Sequence, residues 1–234
     1  MDIIMEDVSK DFGKSRVLEN INFKINSGDI VCFLGPSGAG KTTLIRLILG
    51  AISITSGKIK IGDTLVPNIN LLKKIGYTPQ NDALYDDLSA EDNLKFFGGL
   101  YKIKDINEFI NRVLNIVDLE KDRHKLVRNY SGGMKKRLSL AIALLHDPDV
   151  LLLDEPTVGI DPILRRSIWN EFKRLKEQGK TLIVSTHIMD EARECDNAAL
   201  IYEGKLIAYD KVETLINSTK TGKLEELFLE RKEA

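Results

Sequence analysis

The sequence has few cysteines and no long apolar run. Cys32 and Cys195 are its only cysteines, and their separation fits no metal-binding motif, which favours a reducing compartment. The longest apolar stretches, such as Val150–Leu153, are as long as a strand, whereas a membrane-spanning helix needs about 20 residues. The opening stretch Met1–Asp7 carries acids where a signal peptide carries bases. We therefore expect a cytosolic chain without a membrane span.

Neither sign of charge is in excess. The 34 lysines and arginines nearly balance the 35 aspartates and glutamates, and the two signs are interspersed. A balanced surface argues against a large nucleic-acid interface. The sequence also has no internal repeat, low-complexity tract or coiled-coil pattern. Its 234 residues suffice for one large domain or two small ones with a real core.

The clearest motif is Gly35–Thr42, which fits the phosphate-loop pattern G-x-x-x-x-G-K-[ST]. The apolar run Asp29–Leu34 before it predicts a buried strand. The run after it, starting at Thr43, predicts a helix that ends at Gly50. Strand, loop and helix therefore follow one another in the order that a phosphate site requires.

The chemistry of this loop follows from its residue types. Glycine lets backbone N–H groups turn inward, and the helix start adds unpaired donors and a partial positive charge. Lys41 is expected to reach the terminal phosphates and the Thr42 hydroxyl to hold Mg²⁺. The predicted nucleotide-binding residues here are Gly35, Pro36, Ser37, Gly38, Ala39, Gly40, Lys41, Thr42 and Thr43.

Two adjacent acids follow a second buried strand. Val150–Leu153 predicts a strand covered on both faces, and Asp154 and Glu155 come at its carboxyl end, where α/β proteins bind ligands. An acid pair after a strand is often only a helix cap. With a phosphate loop in the same chain, Asp154 is instead expected in the Mg²⁺ shell, and Glu155 is expected to polarise the attacking water.

A second glycine-rich helix start occurs at Ser131-Gly132-Gly133. Glycine weakens a helix, so a close ligand explains these residues better than capping, and the helix start again suits an anion. One nucleotide does not need two such sites. We therefore expect Ser131–Gly133 to serve a nucleotide held by another copy, in a two-fold sandwich. His187, at the end of the predicted strand Thr181–Thr186, is a further site residue.

Two more residues have open interpretations from their own surroundings. Phe12 lies in the turn Asp11–Ser15 of a predicted opening hairpin. It is either a capping hydrophobe, which the residues alone slightly favour, or a ring that stacks on a base. Gln80 follows the strand that ends at Pro79. It is either a solvated loop residue or an amide oxygen that reaches a metal or water.

The chain between Leu88 and Leu119 is helical in an otherwise α/β sequence. Ser89 is a predicted N-cap for a helix that runs to about Tyr101. A second helix, Asn107–Val117, has apolar residues at helical spacing. We expect most of its apolar residues to serve packing.

In their order and type, these motifs resemble those of the nucleotide-binding subunit of an ATP-binding cassette (ABC) transporter over nearly the full chain. Phe12 falls at the place of that family's base-stacking aromatic, which shifts its interpretation to stacking. The other matches are Gly35–Thr42 to the Walker A loop, Gln80 to the Q-loop glutamine, Ser131–Gly133 to the signature, Asp154 and Glu155 to the Walker B acid and catalytic glutamate, Asp161 to the D-loop aspartate, and His187 to the switch histidine.

One departure lies in the signature, where Met134 replaces the usual glutamine and cannot donate its hydrogen bonds. The stretch Ser131–Arg137, the loop Gly159–Pro162 and the ending Leu224–Leu229 are similar to the multidrug and antibiotic-resistance exporter branch. That branch usually has its membrane subunit on a separate chain.

The resemblance implies an α/β fold: a P-loop NTPase core with a mainly parallel sheet, an antiparallel β subdomain near the N-terminus and an inserted α-helical subdomain. The whole chain, 1–234, is then one ABC ATPase domain, with residues 1–80 and 150–234 in the β subdomain and core and 81–149 in the helical subdomain. ATP and Mg²⁺ are the implied cofactors. Thr42, Gln80 and Asp154 are the implied metal ligands.

The same resemblance implies ATP hydrolysis coupled to transport at the cytoplasmic face of the membrane. Lys41, Glu155 and His187 are the implied catalytic residues. The partners are separate transmembrane permease subunits and a second ATPase chain, identical or sister, with no nucleic acid. The expected docking segment is Asn81–Leu100, with contacts from Leu84, Tyr85, Phe96 and Phe97. For the two phenylalanines, core packing is the alternative.

Other functions remain open from the sequence. A soluble ABC ATPase acting on nucleic acid or the ribosome would carry long coiled coils or a second cassette, which this sequence lacks. A small-molecule kinase would not need Ser131–Gly133 or His187, and a non-catalytic module would not need Glu155. An importer subunit would have much the same sequence, and the cargo is not encoded in this chain.

Overall fold

The computed structural model describes residues 1–81 and 83–229. The chain forms two compact units, one of Met1–Asn68 with Ile183–Ala234 and the other of Ile69–Leu182. Residues 230–234 and Asp82 lie outside the described residues, although the predicted domain and the predicted docking segment include them. The predicted finer division into subdomains stays a prediction.

Strands and helices follow the α/β order expected from the sequence. The strands are β1 (Ile3–Phe12), β2 (Ser15–Ile25), β3 (Ile30–Leu34), β4 (Ser56–Ile61), β5 (Thr64–Leu65), β6 (Ile75–Thr78), β7 (Val150–Asp154), β8 (Thr181–Thr186), β9 (Asn197–Tyr202) and β10 (Lys205–Lys211). The α-helices are α1 (Lys41–Leu49), α2 (Ala90–Tyr101), α3 (Ile106–Ile116), α4 (Gly132–Leu144), α5 (Pro162–Glu177), α6 (Met189–Ala192), α7 (Val212–Asn217) and α8 (Glu225–Leu229). Short 3-10 helices cover Leu71–Lys74, Glu120–Asp122 and Val127–Asn129.

The first unit contains the predicted antiparallel sheet, with strand order β2-β1-β4-β5. Buried apolar residues alternate with polar ones along β2, and Ile25 pairs with Ile3 of β1. The predicted hairpin turn Asp11–Ser15 was too long. Phe12 still pairs with Ser15, and an Asp11–Arg16 ion pair of 2.8 Å closes the strand ends. The turn is therefore only two residues, because these cross-strand contacts extend the ladder to its tip.

Parallel strand pairs confirm the predicted core type. In the first unit, the fully buried β3 pairs in parallel with β9, which pairs antiparallel with β10. In the second unit, β6 pairs in parallel with the fully buried β7, so that Thr78 lies opposite Leu153. Such buried strands need apolar residues on both faces, which is why their sequences are continuous apolar runs rather than alternating ones.

The predicted helical block is present in the second unit as α2, α3 and α4. The Ser89 Oγ accepts a hydrogen bond from the Asp92 amide at 3.1 Å, so α2 begins where the sequence predicted. Two details differ near the C-terminus. The acidic residues of Asp190–Asp196 predict a short helix, whereas α6 covers Met189–Ala192. Helix α7, Val212–Asn217, was not predicted. In the described part of the chain, every helix is too short or too polar to cross a membrane.

Candidate functional site

The phosphate loop in the first unit connects β3 to α1. Gly38 and Gly40 have φ angles of 82° and 105°, in the left-handed region that glycine adopts without steric cost. A Cβ on Gly40 would also lie 2.7 Å from the Leu18 Cδ2, and one on Gly35 would collide with the Ile201 carbonyl oxygen. The glycines of the motif are therefore required by the backbone path of the loop as well as by any ligand.

Lys41 lies inside this loop. Its side chain is 6% exposed, and Nζ donates to the carbonyl oxygens of Gly35 and Pro36 at 2.7 and 2.8 Å. The N-cap residue of helix α1 is Gly40, which has no side chain to cap the helix. A fixed ammonium group beside a helix N-terminus complements a phosphate group, because both carry positive charge and N–H donors. The loop residues therefore fit the phosphates of a nucleotide.

Phe12 and Lys10 form a second feature of the first unit. The Phe12 ring is 50% exposed, and the Lys10 Nζ lies 4.7 Å from the ring centroid. Lys10 itself is buried and donates to the Ser53 carbonyl at 2.7 Å. A half-exposed ring with a cation on its face is a poor hydrophobic cap. It is better suited to stacking, since every base has a π face.

His187 follows β8 directly and is exposed. The backbone beside it is fixed by a buried pair, in which the Thr186 Oγ1 donates to the Glu191 Oε2 at 2.6 Å. The Thr186 Oγ1 also accepts from the Ile188 amide at 3.0 Å. Thr186 and Glu191 were missed by the sequence analysis. They hold the strand exit that carries His187.

The acid pair lies in the second unit, at the end of β7. Asp154 is 1% exposed, and the next residue, Glu155, has a φ of 52°. Left-handed backbone is uncommon for residues other than glycine and, where it occurs, is concentrated at functional sites. The strand therefore ends abruptly between the two acids. This gives Asp154 and Glu155 different backbone directions, as their separate predicted roles require.

The second glycine-rich helix start has an internal explanation for one of its glycines. The Ser131 Oγ accepts from the Met134 amide at 3.2 Å and caps α4, so capping is one of its roles. A Cβ on Gly133 would lie 3.2 Å from the Gly159 carbonyl oxygen, whereas one on Gly132 would meet nothing within 4 Å. Gly133 thus permits a close contact within the chain. Gly132 borders open space, where a ligand could approach.

Asp161 begins helix α5. Its Oδ1 accepts from the amides of Ile163 and Leu164 at 3.1 and 3.0 Å, which is the geometry of an N-cap. Two apolar residues beside it are exposed: Val158 at 36% and Ile163 at 86%. The exposed pair gives this loop an apolar surface around a polar carboxylate.

Gln80 and Asp154 are brought together by a residue that the sequence analysis did not select. Lys136 of α4 is 8% exposed, and its Nζ donates to the carbonyls of Gln80, Pro79 and Asp154 at 3.1, 3.4 and 3.5 Å. The run of three basic residues after the signature resembles a solvated face. The available signal was the spacing, since position 136 shares a helix face with the buried Ser139 and Leu140.

Within the described residues, no group of three or more His, Cys, Asp or Glu side chains is arranged to hold a metal. Mg²⁺ usually keeps only one or two carboxylates and takes its other ligands from phosphates and water. A hydroxyl, an amide and one carboxylate, from Thr42, Gln80 and Asp154, are oxygen donors of that type. Each of these oxygen donors is therefore of a type that suits a magnesium ion arriving with a nucleotide.

Comparison with known proteins matches this arrangement. The family model described as "ABC transporter" matches residues 18–158. The probable multidrug ABC transporter ATP-binding protein YbhF of Escherichia coli is 39% identical over 207 residues, which cover 87% of this chain and 36% of YbhF. The Nod factor export ATP-binding protein I of Cupriavidus metallidurans is 38% identical over 219 residues, covering 92% of this chain and 72% of that protein. This chain therefore spans only about a third of YbhF.

Solved structures give the same result. The structure of an ATP-binding subunit of an ABC transporter superposes with a TM-score of 0.88 at 25% identity, covering 98% of this chain and 99% of the other. A dimeric ATP-binding cassette in a post-hydrolysis state, bound to ADP and phosphate, has a TM-score of 0.82 at 26% identity and covers 89% and 98%.

Proposed function

Because the chain belongs to the ABC transporter family and is one of its ATP-hydrolysing cassettes, we propose that it powers a transporter, and that the transporter is an exporter. The phosphate loop with its enclosed Lys41 is the observation that carries the proposal. The names of relatives that act in Nod factor export and multidrug transport support the direction.

Binding of the base and the phosphates is assigned to residues of the first unit. Phe12 stacks on the base, the loop amides and Lys41 hold the phosphates, and Thr42 supplies a hydroxyl to the metal. Gln80 and Asp154 complete the protein's share of the metal ligands. When bound, Mg²⁺ neutralises charge on the phosphates and orients them. The sequence order of these motifs and the family membership support this assignment.

Hydrolysis is assigned to Glu155 and His187. Glu155 accepts a proton from the attacking water, whose oxygen forms a bond to the γ-phosphorus while the bond to the bridging oxygen of ADP breaks. His187 donates a hydrogen bond to the γ-phosphate and keeps the water in line. The left-handed backbone at Glu155 ends β7 directly after Asp154, so that the two acids leave the strand in different directions, which supports separate roles for them.

The second half of the nucleotide site is assigned to another ATPase chain, identical or sister. Ser131, Gly132 and Gly133 approach the nucleotide held by the other copy, and Asp161 lies in the same interface. Support comes from the dimeric cassette that this chain resembles, from the open space at Gly132, and from the exposed Val158 and Ile163.

The membrane partner is assigned to separate permease subunits, which places the chain at the cytoplasmic face of the membrane. Tyr85 and Phe96 are 47% and 42% exposed, and their rings lie 4.6 Å apart. Phe97, half-buried, packs edge-on against Phe96 at 5.4 Å, and Leu84 is half-buried. An exposed aromatic cluster suits a docking site, since large rings give contact area at low entropic cost.

The test compares Glu155→Gln with the matched control Glu203→Gln. Glu203 also has left-handed backbone, with a φ of 46°, but lies in the turn between β9 and β10. We expect Glu155→Gln to lower kcat by about 100-fold or more, to keep ATP affinity and to form a dimer with Mg-ATP in light scattering. Glu203→Gln should resemble the wild type in turnover. Unimpaired hydrolysis by Glu155→Gln would refute the proton-acceptor role.

A further inference from the structure

Lys136 is a charged side chain buried among main-chain carbonyls. Its ammonium group donates to three carbonyl oxygens, those of Gln80, Pro79 and Asp154. An ammonium group has three donors, so these contacts account for its full hydrogen-bonding capacity. Removing a charge from water is costly unless such partners replace the water. The three carbonyl oxygens therefore offset the cost of burying the Lys136 ammonium group at this position.

Packing alone does not explain the residue. The neighbouring buried positions of α4 are Ser139, Leu140 and Ala143, which are small or apolar. Methionine or leucine would fill the space of a lysine stem without desolvating a charge. The terminal ammonium group is the part of Lys136 that those residues lack, and it is the part that contacts the carbonyls.

The contacts lie where the ladder between β6 and β7 stops. The last paired residues are Thr78 and Leu153. Pro79 follows Thr78 and has no N–H group, so it cannot donate the next ladder hydrogen bond. Lys136 contacts the carbonyls just beyond this point on both strands. Its side chain thus takes over the role of the missing backbone bonds and holds the two strand exits together.

Gln80 and Asp154, the residues at these exits, are the two metal ligands assigned to this unit. We propose that Lys136 is a positioning residue, which fixes the strand exits bearing Gln80 and Asp154 relative to each other and to helix α4, and so sets the affinity for the magnesium ion that accompanies the nucleotide. This inference rests on the proposed function. It adds a determinant of metal binding that touches neither metal nor nucleotide.

The test uses Lys136→Met, Lys136→Arg and the matched control Lys135→Met. The Lys135 Nζ pairs with the Asp86 carboxylate at 2.7 Å on the exposed side, so the control removes a neighbouring lysine without reaching the strand exits. Binding of a fluorescent ATP analogue is titrated against free Mg²⁺, and binding in EDTA and thermal unfolding are measured alongside.

We expect Lys136→Met to raise the Mg²⁺ concentration for half-maximal binding by about 10-fold, the lower range for losing an outer-shell contact at a metal site. Binding in EDTA should be unchanged, because Lys136 donates to the carbonyls of the strand exits, whereas the phosphate loop's own amides and Lys41 hold the phosphates. Lys136→Arg retains the charge and donors and should restore most of the Mg²⁺ affinity, and Lys135→Met should match the wild type.

Two results would overturn the inference. One is nucleotide binding by Lys136→Met with the same Mg²⁺ dependence as the wild type. The other is nucleotide binding that falls equally with and without Mg²⁺, together with a lowered melting temperature. If Lys136→Met does not fold, Lys136→Gln keeps a donor without the charge and is measured in its place. Wild-type protein whose nucleotide binding ignores Mg²⁺ would instead refute the metal roles under the proposed function.

Discussion

Gly133 lies against Gly159, so closely that a Cβ on Gly133 would be 3.2 Å from the Gly159 carbonyl oxygen. This contact joins the start of α4 to the loop that precedes Asp161. Both segments are assigned to the interface with a second chain. The absence of a side chain at Gly133 therefore determines how closely the start of α4 and the loop before Asp161 approach each other within the proposed interface.

The two signature glycines should respond differently to alanine. Gly133→Ala gains the same helix preference as Gly132→Ala, but it forces the Gly159 carbonyl to shift, so it should be less stable than Gly132→Ala by about 1 kcal/mol or more. Gly132→Ala meets open space, and alanine favours the helix, so unfolding free energy should stay equal or rise by up to about 1 kcal/mol. If Gly132 contacts a partner's nucleotide, its variant should still lose ATP-dependent dimerisation. Urea unfolding and light scattering measure both, and equal destabilisation of the two variants would contradict the geometry.

Phe12→Ala should weaken ATP binding without destabilising the fold. The ring is half exposed, so its removal takes little from the core, whereas one stacked base is worth about 1–3 kcal/mol, or roughly 5- to 150-fold in affinity. Phe12→Trp should retain affinity. Leu65→Ala removes an apolar side chain of similar exposure, 53%, and serves as the control. Calorimetric titration measures ATP affinity in each variant. An ATP affinity that is the same in Phe12→Ala and the wild type would contradict the stacking role.

The aromatic cluster of Tyr85 and Phe96 should be needed for the membrane partner and dispensable for the isolated chain. The double variant Tyr85→Ser, Phe96→Ser should hydrolyse ATP as the wild type does, yet should no longer co-purify its permease from detergent-solubilised membranes. Ile69→Ser is the control, because that residue is 75% exposed and lies outside the cluster. Retained co-purification by the double variant would show that the permease docks elsewhere.

His146 should make stability fall in mild acid. Burial lowers the pKa of His146 below its ordinary value of 6.5, while its ring nitrogen bonds the Ile75 carbonyl at 3.1 Å and its ring stacks on Tyr101 at 3.8 Å. Asp147 opposes the lowering and Lys180 adds to it. Since the folded state binds the proton less tightly than the unfolded state, the stabilisation is full above pH 6.5 and is lost as pH falls through the folded pKa.

The measurement compares wild type with His146→Phe, which keeps a ring to stack on Tyr101. Urea unfolding at pH 7.5 and 5.5 should show a larger loss of unfolding free energy in the wild type. Other groups titrate equally in both proteins, so the difference isolates His146. Equal losses would show that protonation of this ring is not linked to folding.

Much of the fold was predictable because its signals are local. Ser89 caps its helix through an amide only three residues away, and Gly50 ends α1 through its own left-handed backbone, with φ of 75°. Pro162 marks the first turn of α5 for a similar reason. Each signal needs one residue and its immediate neighbours, so no knowledge of the rest of the chain is required.

The sequence analysis failed where a distant residue decides the local structure or where an element is too short to show a pattern. The hairpin turn was placed too widely, because the Asp11–Arg16 pair that extends the ladder forms only once the strands meet. The contact of Gly133 with Gly159 was not predicted, because it links residues that are far apart in the sequence. Helix α7 has only six residues, too few for a helical period to be evident.

The sequence by itself determined the family, the α/β order and the identity of the phosphate loop, since these depend on residue type and short spacing. Only the tertiary structure decided that Lys136 is buried against Gln80 and Asp154. A lysine in a basic run has the same local pattern whether it faces water or a core. The difference is that residues distant in the sequence, at the ends of β6 and β7, place main-chain carbonyls around the Lys136 ammonium group. These carbonyls replace the water molecules that would otherwise solvate it.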